Sequence, residues 1–178
     1  MTADRPAYTV SARVLHWMTA LLVLSLIPFG LLMVRIKEGP AQDLLFNLHR
    51  SIGAILLPIV IIRLIYRIKS PPLPLPPDVP AFQRGTAHAT HWLLYLLLIV
   101  QPIVGWIATS AYGAAISVFW LFELPSVWPK DAAFAEKLFA LHQFIGFVMA
   151  ALICAHIGAA LFHHFIHRDR VLMRMISG

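Results

Sequence analysis

Between Leu138 and Phe162 the chain reads LFALHQFIGFVMAALICAHIGAALF, 25 residues without one charged side chain. One helical crossing of a bilayer core takes about 20 such residues, so this stretch predicts a membrane span. It also holds two histidines, His142 and His156. An ionisable ring in hydrocarbon is costly, and its presence there points to function. The two lie 14 residues apart. At about 100° per residue that separation falls about 40° short of four full turns, so both rings leave one face of the helix. At about 1.5 Å rise per residue they stand about 21 Å apart along the axis, one near each membrane surface. Such a helix offers one ligand per leaflet and leaves the rest of the chain to supply the partners.

The composition agrees with a lipid-embedded chain. Of 178 residues, 60% are hydrophobic and 12% charged, against about 45–50% and about 25% in a typical soluble domain. Four apolar runs predict an all-α, multi-pass, integral membrane four-helix bundle forming a single domain over 1–178. The spans are expected at about 13–34, 44–66, 88–110 and 138–162. The first run, Leu15–Val34, is longer than the about 7–15 residues of a signal-peptide core and reads as a retained span. The net charge of +6, in so apolar a chain, reads as topology and lipid-headgroup contact rather than as nucleic-acid binding. The single cysteine, Cys154, excludes an internal disulfide and reads as packing. With no Cys-x-x-Cys-His, any haem is held by coordination alone, without thioether links.

In chain order, a polar start, Met1–Arg13, leads into a first span that opens with His16-Trp17 and holds Pro28, where a kink is expected. The second opens with His49-Arg50 and holds Pro58. The connector SPPLPLPPDVP is expected to be extended and stiff. The third span carries His88, His91 and Pro102, and the long loop Ala111–Glu136 contains FWLFELPSVWP, aromatics suited to the membrane interface. A basic tail with His163, His164 and His167 closes the chain. Nine Lys and Arg residues fall on the side of both termini and the proline connector, and five on the other. The positive-inside rule therefore places both termini in the cytoplasm.

That topology sorts the histidines by depth. His16 and His156 fall near the cytoplasmic side, His49 and His142 near the outer side. Two pairs at two depths match two bis-histidine haem sites built from inward-facing side chains of a four-helix bundle. Two imidazoles fill both axial positions of an iron, so such a centre carries electrons instead of binding gas. One turn after each of the four stands a small residue, namely Ala20, Gly53, Gly146 and Ala160, as a macrocycle lying against a helix requires. Taken singly, a membrane histidine can merely bond a neighbouring helix or anchor the interface. His88 and His91, at the same depth as His16, remain substitutes for it. The tail histidines read as headgroup contacts, with metal binding as the alternative. For the anionic edge of a haem, Arg50 is placed for the outer site, and Arg63 and Arg67 for the inner one, unless those two only snorkel to headgroups.

These residues resemble the bacterial cytochrome b-561 family over nearly the whole chain. The resemblance rests on Arg13-x-x-His16-Trp17, His49-x-x-x-Gly53, Ala87-His88-x-x-His91 with Tyr95, Pro102-x-x-Gly105, and His142-x-x-x-Gly146 with His156, closed by His163-His164 and a basic end. It implies two non-covalent b-type haems in the bacterial cytoplasmic (inner) membrane, on the equivalents of His16, His156, His49 and His142. It also implies ubiquinone as the electron acceptor in the lipid phase and, for similar members, superoxide oxidised at the outer face. His88 and His91 could line the quinone site. Steering of an anionic substrate favours a positive outer surface. The outer loops, however, balance five basic residues against five acidic ones. Two other readings stand beside this one: a non-catalytic subunit relaying electrons between a dehydrogenase or hydrogenase and quinone, docked through Phe119–Trp128, and a haem or metal carrier.

Overall fold

The computed structural model describes residues 8–74 and 79–177. The first seven residues of the polar start, and residues 75–78 of the proline connector, lie outside the described residues. Four long helices dominate: α1 (Val10–Met33), α2 (Pro40–Lys69), α3 (Ala81–Tyr112) and α4 (Ala132–Phe162). Each is long and apolar enough to cross a membrane. At 24 to 32 residues they extend past the expected spans at most of their ends, and α3, at about 48 Å, exceeds a hydrocarbon core of about 30 Å.

Local chemistry fixes the ends. Thr9 caps α1 by accepting the Ala12 N–H, and Asp131 caps α4 by accepting that of Phe134. Pro40 sits in the first turn of α2, where its missing N–H costs nothing. Gly113, at φ 87°, closes α3 in the left-handed conformation. Pro28, Pro58 and Pro102 lie inside helices that continue through them.

The helices pack as two hairpins, α1 on α2 and α3 on α4, with α2 also against α3. Their common core is thin: Val23, Leu26, Leu56, Val60, Leu94, Tyr95, Leu98 and Met149. Large apolar side chains such as Leu21, Ile62, Leu96 and Phe144 point outward instead, each more than half exposed. In water this would be an aggregating surface; in a bilayer it is the lipid-facing one. Cys154 is also exposed, so its thiol belongs to that outer surface.

The loop between α3 and α4 is more ordered than its composition implies. Residues Ile116–Val118 (β1) and Phe122–Leu124 (β2) form an antiparallel hairpin, with Val118 opposite Phe122. The turn places Phe119 and Trp120 at φ 47° and 59°, a strained choice for bulky residues that needs outside support. That support comes from α2. The buried Ser51 hydroxyl accepts the Phe119 N–H at 2.8 Å and shares its own hydrogen between the Ser117 carbonyl and Asn47 Oδ1. Asn47 Nδ2 donates to the same Ser117 carbonyl at 3.2 Å. The hairpin is thereby a fixed cap on one end of the bundle, with Trp120, Leu121 and Phe122 exposed at its tip.

At the opposite end the tail folds back onto α1. After α4, a π-helical turn (His163–His167) ends at Arg168 in the left-handed region. A last short helix, α5 (Met173–Ile176), follows. Arg13 and Trp17 donate to the carbonyls of Ile176 and Met175, and Arg174 to that of Pro74. His163 Nδ1 donates to Asp169 at 2.5 Å and its ring stacks on His167, so this histidine makes an internal contact beyond the headgroup role expected of the tail. Burial alone would raise the Asp169 carboxyl, but the Val171 N–H and His163 together hold it below the ordinary carboxylate value. Among the described residues no three His, Cys, Asp or Glu side chains converge as a metal site, so the tail histidines form none.

Ser51→Ala leaves the Phe119 N–H unpaired in a buried position and should cost about 1–3 kcal/mol. Thermal unfolding in detergent should show a lowered midpoint, with proteolysis beginning within the loop between α3 and α4.

Candidate haem sites

The four histidines expected to pair are brought together as two couples. Near the hairpin end, the rings of His49 (α2) and His142 (α4) have centroids 6.1 Å apart at an interplanar angle of 78°. Near the end carrying the tail, His16 (α1) and His156 (α4) stand 6.3 Å apart at 67°. All four are half-buried. One metal held between two imidazoles, at about 2.0–2.1 Å from a nitrogen of each, places the ring centroids about 6.4 Å apart. Both couples fit that spacing.

At the hairpin end the protonation pattern fits as well. His49 Nδ1 lies 3.1 Å from the Leu26 carbonyl and His142 Nδ1 lies 3.1 Å from the Gln101 carbonyl. A carbonyl only accepts, so each Nδ1 carries the hydrogen and each Nε2 presents its lone pair, the arrangement that prepares a histidine for a metal. Each ring reaches its carbonyl because the residue one turn further on is glycine. A Cβ on Gly30 would meet His49 at 3.0 Å, and one on Gly105 would meet His142 at 3.0 Å. Neither glycine stood out in the sequence as part of a histidine site. The only signal was position: Gly30 and Gly105 lie four residues beyond the carbonyls that the histidines use, on the same helix face.

The small residues after the histidines divide. A Cβ on Gly53 would meet nothing within 4 Å, whereas one on Gly146 would meet Gln101 Nε2 at 3.2 Å. The space at Gly146, expected to admit a macrocycle, is taken by the Gln101 amide.

The group at the other end holds three imidazoles. His91 (α3) lies closer to His156 than His16 does, with centroids 5.1 Å apart. Its Nδ1 donates to the Ala87 carbonyl at 2.6 Å, whereas His16 Nδ1 accepts from Arg63 at 2.8 Å. A guanidinium only donates, so in this arrangement the neutral His16 ring carries its hydrogen on Nε2. Tautomer alone thus favours His91 as the partner of His156. Distance favours His16, because 5.1 Å leaves no room for a metal bound at about 2 Å from each of two opposed rings. Distance is the harder constraint, since a proton moves more readily than a helix. His88 faces outward and its Nε2 accepts from Trp92, so it stands outside both groups.

The arginines are more committed than the sequence implies. Arg50 donates through Nε to the Phe46 carbonyl and through Nη1 to that of Ala115, tying α2 to the start of the hairpin. It also lines a cavity of about 470 Å³ with Pro40, Asp43, Leu44, Asn47 and Trp120. Arg63 lies over the Tyr95 ring at 5.2 Å, and Arg67 over both Tyr95 and Trp92.

The prokaryotic cytochrome b561 family matches residues 7–178. The chain belongs to that family. It is 34% identical over 177 residues to cytochrome b561 homolog 2 of Escherichia coli (strain K12), covering 96% of this chain and 91% of that one. Cytochrome b561 homolog 1 of the same organism is 31% identical over 167 residues, with 91% and 92% covered. A probable superoxide oxidase, CybB of Yersinia pestis, is 29% identical over 163 residues, covering 91% of each. The protein is therefore a bacterial membrane cytochrome that binds b-type haem and transfers electrons.

Gly105→Val places a branched side chain where the His142 ring now lies. The ring must leave the Gln101 carbonyl, and the purified protein should carry clearly less haem than wild type by pyridine haemochrome assay.

Proposed function

We propose that this cytochrome holds two b-type haems, one between His16 and His156 and one between His49 and His142, and passes single electrons from superoxide outside the cytoplasmic membrane to ubiquinone. The observation that carries this reading is the pair of imidazole couples, 6.3 and 6.1 Å between centroids, at the two ends of one helix. On this reading the hairpin end faces outward and both termini lie in the cytoplasm, in accord with the Lys and Arg count.

Bis-imidazole haem supplies a one-electron carrier with no open position for oxygen. The protein's task is then to hold the rings, exclude water and manage protons. Each superoxide gives up one electron and leaves as dioxygen. Two superoxides and two protons convert one ubiquinone to ubiquinol and yield two molecules of dioxygen. Two carriers stacked about 21 Å apart along α4 would cover most of a bilayer core of about 30 Å.

The chain's own residues divide the work. Asn47 and Arg50 line one cavity at the hairpin end together with the Asp43 carboxylate, so the polar groups there, like the loops, carry balanced charge. His16 would hold the haem through Nε2 with its hydrogen on Nδ1, and Arg63, which now donates to that Nδ1 at 2.8 Å, would be the cation available to a haem carboxylate. Arg50, already tied to two carbonyls, contributes charge to the hairpin-end site. His91, with Nδ1–H held by Ala87 and Nε2 left as an acceptor, is the imidazole outside both couples and lines the quinone site. The share of identity with a probable superoxide oxidase supports superoxide as the donor.

Purified wild type should carry two low-spin haems per chain and His142→Ala and His156→Ala one each, with reduced-minus-oxidised spectra showing a different haem missing in each. The wild-type chain alone should reduce ubiquinone when supplied with superoxide. One haem indifferent to both substitutions would defeat the ligand assignment, and two haems without superoxide-driven quinone reduction would leave electron relay with another donor.

A further inference from the structure

We propose that Gln101 is the positioning residue of the hairpin-end site, fixing His142 while His49 is left the looser partner. This rests on the ligand assignment above. Gln101 and His142 exchange two hydrogen bonds across the α3–α4 interface. The His142 ring donates from Nδ1 to the Gln101 main-chain carbonyl at 3.1 Å. In return the Gln101 side-chain amide donates from Nε2 to the His142 main-chain carbonyl at 2.7 Å. Ring and backbone of one residue are thus clamped by backbone and side chain of another. His49 has only the single bond from its ring to Leu26.

Two further observations show that the amide is held in place for this purpose. Its Oε1 is buried and has no partner among the described residues. A buried carbonyl oxygen without a donor is rare in native structures and calls for an explanation. Turning the amide over would set Oε1 against the His142 carbonyl, oxygen to oxygen, so the clamp dictates the orientation that leaves Oε1 unpaired. The second observation is Gly146, one turn beyond His142. A Cβ there would meet Gln101 Nε2 at 3.2 Å, so the glycine leaves room for the clamp.

By holding the His142 backbone while the ring bonds the Gln101 carbonyl, the clamp would fix the His142 side of the angle between the two ring planes, here 78°. Near-perpendicular imidazoles give a low-spin ferric iron a strongly anisotropic electron paramagnetic resonance signal, and the largest g value falls as the rings turn toward parallel. Gln101→Met keeps the volume and removes the donor without touching the main-chain carbonyl. Gly146→Ala presses on the amide and touches neither ring. The holoprotein in detergent should be compared as wild type, Q101M, G146A and H142A, with the other haem as the internal check on folding.

Q101M should lower the largest g value of the hairpin-end haem and speed its transfer to an apo-globin acceptor about tenfold, with the other haem unchanged. G146A should shift both in the same direction by less. H142A should lose that haem outright. A wild-type g value and transfer rate in Q101M, alongside haem loss in H142A, would overturn the role of Gln101 and spare the ligand assignment. If Q101M fails to retain the other haem, a wild-type G146A overturns it instead. An H142A protein that keeps both haems would overturn the assignment and the clamp together.

Discussion

An imidazole inside a lipid-embedded bundle has two nitrogens to satisfy and no water to satisfy them. A helical carbonyl engaged one turn along keeps a second lone pair that such a ring can use. The structure meets this constraint by letting a ring donate to a carbonyl of the neighbouring helix and by removing the side chain that would block the approach. Leu26 with Gly30 receives His49, and Gln101 with Gly105 receives His142. The two hairpins, α1–α2 and α3–α4, thus use the same device once each. With Nδ1 engaged, each Nε2 keeps its lone pair.

The two ends of the bundle are built differently around that constraint. The hairpin end is tied by hydrogen bonds: Ser51, Asn47 and Arg50 bind the cap to α2, and the strained turn at Phe119 and Trp120 is held by hydrogen bonds, not by glycine. The tail end is richer in cations and aromatics, with Arg63 and Arg67 over Tyr95 and a third imidazole, His91, beside His156. A rigid end suits a fixed one-electron centre. An end with exchangeable hydrogen bonds suits a reaction that also consumes protons. The C-terminal segment, bonded to Arg13 and Trp17, lies against α1 beside that second group.

Much of the architecture was legible in the sequence because lipid imposes a simple rule: apolar runs of sufficient length become helices that satisfy their own backbone. The pairing of histidines by depth was legible for the same reason, since a regular helix converts residue number into depth. What was not legible depends on contacts between helices. Gly30, Gly105 and Gln101 acquire their roles only when α1 meets α2 and α3 meets α4. At Gly146 the near neighbour is an amide from another helix, which residue spacing does not show. The hairpin of Ile116–Leu124 was hidden because its bulky turn residues carry none of the usual glycine or asparagine signal. Its stability comes from Ser51, 68 residues earlier than Phe119.

The central claim is that one helix, α4, supplies an axial ligand to each of two centres, partnered by His16 and His49. The most direct measurement is an iron anomalous difference map of the haem-loaded protein. The account predicts two iron peaks about 21 Å apart along α4, one between His16 and His156 and one between His49 and His142. A single peak, or a peak between His156 and His91 with His16 unligated, would contradict it.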